Sequence, residues 1–248
     1  HLWSESYDRE LRDVFAIQQE IARNVVRALR VTLSPGEKGA LAEVPTSHVQ
    51  AYDYYLRGRS FYYRYGRHDM EFALQLFSRA VELDPDYALA HAGLADCWSY
   101  IYLNGGRHDA ARNQAEAAGR RAVELAPESA HAQASYAVAL SLGPRKDEAR
   151  AAFETAIRLD PALFEAWYFY ARHVFAGGDL AKAASLYEEA MRVRPEDFYA
   201  PLLVGNIYDE LGRREDARAA RERGVALVER HIDLHPDDAR ALYMGANG

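Results

Sequence analysis

Chemistry in this chain would first be sought among its nine histidines, its single cysteine and its paired carboxylates. His231 and His235 stand four residues apart, which places two imidazoles on one helical face, with Glu229 and Asp233 beside them. Zinc requires three or four ligands, so the pair reads as a solvated helix end and no metal is expected. Glu188-Glu189 and Glu215-Asp216 are adjacent acids on exposed helical faces, where acids serve solubility. Cys97 lies in an apolar helical pattern with Ala92, Leu94, Ala95 and Trp98, the setting of a small buried hydrophobe. No phosphate loop, dinucleotide fingerprint, nucleophile elbow or H-E-x-x-H motif occurs. Gly105-Gly106 and Gly177-Gly178 follow helical patterns rather than strands, so they are turns. The residues therefore predict no catalytic site and no cofactor.

The tyrosines are more informative. Tyr52, Tyr54, Tyr55, Tyr62, Tyr63 and Tyr65 crowd one helical stretch together with Phe61. Seven aromatics cannot all face one narrow core stripe, so some must line a surface or a groove. Tyrosine suits an interface because its ring is rigid and apolar while its hydroxyl can bond. Core packing is the competing reading of the same residues.

Composition narrows the class. Thirty basic residues against 37 acidic ones give a net charge of −7, which argues against a general nucleic-acid binder. Lys38, Lys146 and Lys182 are the only lysines; the other basic residues are arginine. No run approaches the roughly 18 apolar residues of a membrane span. One cysteine excludes an internal disulfide and a thiolate cluster. The chain opens at His1 without a methionine and closes at Gly248 inside a helical pattern, which gives the expectation of a piece of a longer protein. The expected compartment is the cytoplasm, with the periplasm as the alternative.

The elements that would position these residues are set by a repeat. Ala-Val-Glu-Leu-Asp-Pro ends at Pro85, Ala-Val-Glu-Leu-Ala-Pro at Pro127, Ala-Ile-Arg-Leu-Asp-Pro at Pro161 and Ala-Met-Arg-Val-Arg-Pro at Pro195. The spacings are 42, 34 and 34 residues, and a weaker copy ends at Pro236. Proline lacks the N–H and clashes with the preceding turn, so each phrase ends a helix. Ala149, Phe153 and Ala156 share one helical face in one unit, as do Ala183, Tyr187 and Ala190 in the next. The unit at 86–127 has about eight extra residues around Tyr102–Gly106 and carries Gly119 in place of the aromatic. The unit after Pro195 carries Gly224 in place of the alanine and has a longer second helix. Ser47 with Gln50 reads as a helix cap before the first unit.

These phrases and their period resemble the tetratricopeptide repeat, over roughly 49–235 and most closely at 128–161 and 162–195. The resemblance implies an all-α fold, a right-handed superhelical solenoid of antiparallel helix pairs, with about five repeats after an N-terminal helical segment. The expected divisions are 1–46, a repeat array at 47–235, and the start of a further repeat at 236–248. Within 1–46, Glu10 to Leu33 reads as an amphipathic helix, and Leu2 to Ala22 resembles the end of a TolB-like module. Such modules precede these repeats in bacterial regulators that include class III adenylate cyclases, serine/threonine kinases and winged-helix transcription regulators.

Function, too, is implied by the resemblance. The first helix of each unit lines a concave surface, so in 34-residue register the groove would present Tyr52, Tyr55, Arg59, Tyr62, Asp96, Tyr100, His131, Tyr168, Arg172 and Asn206, with Leu89, Ala134, Val138, Glu165, Tyr199 and Asp209. The Lys/Asn/Arg clamp of chaperone-binding members is not matched. The implied partner is a protein or peptide crossing aromatics and pinned by Arg59 or Arg172. No nucleic acid and no membrane is expected. The alternatives are a regulatory region of a signalling enzyme such as an adenylate cyclase, and a self-association module forming a homo-oligomer through an uncovered terminal repeat.

Overall fold

The computed structural model describes residues 46–236 and 238–246. The divisions and resemblances assigned to 1–45 fall outside them. Among the described residues there are eleven α-helices and no strand. Ten form five consecutive pairs: α1 (Val49–Tyr62) with α2 (Arg67–Leu83), α3 (Ala88–Asn104) with α4 (Asp109–Leu125), α5 (Ala130–Ser141) with α6 (Lys146–Leu159), α7 (Phe164–Ala176) with α8 (Leu180–Val193), and α9 (Tyr199–Glu210) with α10 (Arg214–Leu234). A short α11 (Ala239–Ala246) follows. The first helices of neighbouring pairs touch in series, α1 to α3, α3 to α5 and α5 to α7, which makes the assembly a solenoid.

Each pair closes around the small–large–small stripe. Ala149, Phe153 and Ala156 are wholly buried on α6, and Phe153 stacks on Tyr170 of the next unit at 5.3 Å between centroids. On α8, Tyr187 meets Tyr168 edge-on at 5.8 Å. Rings tilted or stacked at such spacings add to the burial of their area. Alanine dominates the seams between units, where Ala92, Ala122 and Ala132 form one cluster and Ala134, Ala156 and Ala166 contribute to another.

The irregular units adjust by length. Helices α3 and α4 have 17 residues each, against 12 and 14 for α5 and α6, so the eight additional residues extend both helices rather than looping out. Their turn runs through left-handed Gly106 (φ 96°) and Arg107 (φ 58°). Gly119 lacks the aromatic because α5 occupies the space. A Cβ there would lie 2.9 Å from the Tyr136 Cα, and the Tyr136 ring fills the place of the missing side chain. The capping expected from Ser47 is corrected. His48 is the N-cap of α1, its imidazole accepting from the Ala51 N–H, while the Thr46 hydroxyl accepts from the His48 N–H at 3.0 Å. Thr46 is buried and donates its hydroxyl to Asp84, while Ser47 is exposed.

Candidate partner-binding groove

The first helices carry a series of polar groups that act on one another from unit to unit. At its start stands Arg59 of α1, whose guanidinium lies 4.7 Å over the Tyr63 ring and donates to the Tyr63 hydroxyl. Asp96 of α3 is within the field of Arg59 and accepts a hydrogen bond from Ser135 of α5. One turn before Ser135 on α5, His131 lies in the fields of Arg59 and Arg194 and of Glu165 and Asp160. Glu165 of α7 pairs with Arg194 at 3.1 Å, and the Arg194 guanidinium caps the Phe164 ring at 4.1 Å. The sequence of groups is therefore cation, carboxyl, imidazole, carboxylate, cation.

Their charges are shaped by withdrawal from water. Burial pushes the Asp96 carboxyl up to about 7, and Glu165 adds to the shift, while the Ser135 hydrogen bond and Arg59 oppose it. Burial, and then Arg59, hold the His131 imidazole below its usual value, against the pull of Glu165 and Asp160. Asp96 thus stays partly open to solvent, yet its charge loses much of its hydration. Such a group gains from a partner that supplies a donor or a cation. Nothing in the row pairs a nucleophile with a base, so the arrangement suits recognition.

The positions expected in the groove divide three ways. Arg59, Asp96 and His131 converge in the row just described. Tyr55, Tyr62 and Tyr168 are 8%, 8% and 7% exposed and belong mainly to the core. Tyr55 packs on Phe77 and Tyr87 at 5.8 and 5.1 Å, Tyr62 on Tyr65 at 5.4 Å, and Tyr168 on Phe164 at 5.4 Å. Tyr52 is half-buried on α1. Tyr100 is also half-buried and donates its hydroxyl to the Tyr65 carbonyl at 2.7 Å. Arg172 is exposed, its guanidinium 5.9 Å from the Phe169 ring, and Asn206 accepts from Arg221 at 3.1 Å at the far end of the array. Two members of the row, Ser135 and Arg194, lie outside the expected set. Arg194 carries a legible signal. The residue before each of the first four closing prolines is Asp84, Ala126, Asp160 or Arg194, and only Arg194 is basic.

The Tetratricopeptide repeat family model matches residues 98–163 and 145–198. Residues 98–198 are tetratricopeptide repeats, and the five helix pairs share their fold. Solved structures agree on the fold. A thermophilic tetratricopeptide protein of Thermus thermophilus superposes with a TM-score of 0.62 at 18% identity, over 78% of this chain and 99% of that one. PilF of Pseudomonas aeruginosa gives 0.55 at 19%, over 80% and 90%. MamA gives 0.51 at 22%, over 67% and 93%. In sequence, the chain is 32% identical over 142 residues to a Rhizobium meliloti (strain 1021) protein whose name proposes it as an adenylate cyclase. That match covers 57% of this chain and spans 24% of the relative's length. No described helix is long and apolar enough to cross a membrane.

Proposed function

We propose that this tetratricopeptide domain is a non-catalytic interaction module that holds a peptide or protein segment in its concave groove, in the cytoplasm. The observation that carries the reading is the row from Arg59 to Arg194. Five ionisable side chains from four helices and one helix end act on one another in series, and Asp96 among them loses much of its hydration with Ser135 as its hydrogen-bond donor. Tyr52 is half-buried and Arg172 exposed, and both remain candidates for contact with the partner. Hydrogen–deuterium exchange on a complex with a peptide selected from a display library tests this. Protection concentrated on α1, α3, α5 and α7 is the expected result; protection concentrated on α2, α4, α6 and α8 would move the site to the outer face.

A second reading is favoured by the Rhizobium relative: the domain serves as a regulatory region in a longer signalling protein with nucleotide cyclase activity. The activity would lie in the rest of such a protein and the groove would bind what regulates it. Cyclase assays of the full-length gene product, with and without the groove variant Arg59→Ala, check it; an inactive full-length product removes this reading and leaves the first intact.

A further inference from the structure

Away from the groove, the start of α6 and the turn joining α7 to α8 enclose a cavity of about 240 Å³. Lys146 and Arg150 of α6, His173 of α7, Asp179 of the turn and Lys182 of α8 line it. The chain has only three lysines among 30 basic residues, and two of them stand here. Each ammonium group has a neutral acceptor. Lys146 Nζ donates to the Ser141 carbonyl at 2.6 Å, and Lys182 Nζ donates to the Tyr170 hydroxyl at 2.8 Å. A carbonyl or hydroxyl orients a cation without neutralising it.

The neighbouring carboxylates compensate these charges weakly. Asp147 stands 3.7 Å from Arg150 with its own side chain 94% exposed, and Glu154 stands 3.8 Å from Lys182 while accepting the Tyr170 hydroxyl at 2.7 Å. Exposed ion pairs of that length bind loosely. Asp179 keeps its charge while it caps α8 by accepting the Lys182 N–H at 3.0 Å, so the lining sets three cations against one carboxylate. The same charges act on His173. Its imidazole is held below its usual value by burial first and then by Lys146, with Arg150 adding to the effect; a hydrogen bond to the Lys146 backbone and the charge of Asp147 pull the other way.

We propose that this cavity is an anion site that takes a phosphate group. A cavity of this volume far exceeds the ~10–15 Å³ that one water needs, so a polyatomic ion fits. Ammonium groups bind phosphate as point charges, and a guanidinium can add a paired hydrogen bond. A dianion would be met by Lys146, Arg150 and Lys182 at once. The site shares no residue with the Arg59-to-Arg194 row, so failure here would leave the groove reading untouched.

The test is a titration of the whole chain with inorganic phosphate, and separately with O-phosphoserine, at constant ionic strength, followed by the ring proton shifts of His173. Saturable movement is expected with at least one of them. Tighter binding of phosphoserine would attach the phosphate to a modified side chain, and tighter binding of inorganic phosphate would assign a free ion. Lys146→Gln combined with Lys182→Gln should weaken binding about tenfold or more, as expected when two charge-assisted contacts are lost. Lys146→Gln alone, which gives up only a carbonyl contact, should retain the fold and weaken binding severalfold. The distant pair Arg218→Gln and Arg230→Gln should change nothing. No saturable shift with either probe, or equal losses in the distant variant, would overturn the proposal.

Discussion

The central units and the fifth unit place different side chains at the same point of the repeat. In α6 and α8 the stripe reads Ala149-Phe153-Ala156 and Ala183-Tyr187-Ala190; in α10 it reads Ala217-Arg221-Gly224. Phe153 and Tyr187 are almost wholly buried, whereas Arg221 keeps 30% of its side chain exposed, donates to Asn206 and pairs with Asp209. The difference lies in what comes next. A following unit presses on Phe153 through Tyr170 and His173. At the fifth unit, α11 packs further along, where Phe198, Leu202, Val228 and Ala241 cluster. Arg221 is therefore left with α9 beneath it and water beside it. A repeat position demands an aromatic only where the next unit closes over it.

Several substitutions would break or sharpen that contrast. Phe153→Ala should cost about 3–5 kcal/mol in urea unfolding, as a large buried ring leaves a cavity, whereas Arg221→Ala should cost less than about 1 kcal/mol. Equal losses would erase the distinction between covered and uncovered units. Gly119→Ala should destabilise by about 1–3 kcal/mol, because its Cβ meets backbone 2.9 Å away that cannot swing aside; an unchanged midpoint would show that α4 and α5 separate easily.

Asp96→Asn should stabilise the domain by about 1 kcal/mol at pH 8 and have little effect near pH 4, since only part of a buried charge's cost survives where solvent still reaches the group. The sign follows from the raised folded value of about 7. Below the ordinary carboxyl range, Asp96 is neutral folded or unfolded, and stability is lost as pH rises from that range to the folded value. Melting curves of both proteins at the two pH values decide it, and a variant less stable at pH 8 would mean that Arg59 outweighs burial. The smallest effect is expected for Arg221→Phe, within about 1 kcal/mol of the parent, because a ring there would gain apolar contact while remaining partly wet. A gain well beyond that in urea unfolding would mean that the fifth unit can close like the others.

The repeat itself is readable because proline and the alanine–aromatic–alanine stripe act locally on each helix. Phe153, Tyr187 and the helix ends near Pro161 and Pro195 can be placed from spacing alone. The groove is harder. Register places Tyr55, Tyr62 and Tyr168 on first helices, but a one-residue step turns a helix by about 100°, so spacing alone does not fix how deeply a ring is buried. Arg59, Asp96 and His131 come from three units, and their convergence depends on how far each pair rotates on the last. Ser135 carries no signal in sequence, because a hydroxyl on an alanine-rich helix gains meaning only when a carboxyl faces it.

The most direct test of the account is isothermal titration of a display-selected peptide into the parent domain and into Arg59→Ala, Asp96→Asn and Arg194→Ala, with helicity checked in each. If the groove binds the partner, these substitutions should each weaken binding by about tenfold, the scale of a lost charge-assisted contact, while Arg218→Ala on the outer end leaves it unchanged. Binding that survives all three groove substitutions undiminished would contradict the assignment of the groove as the partner site.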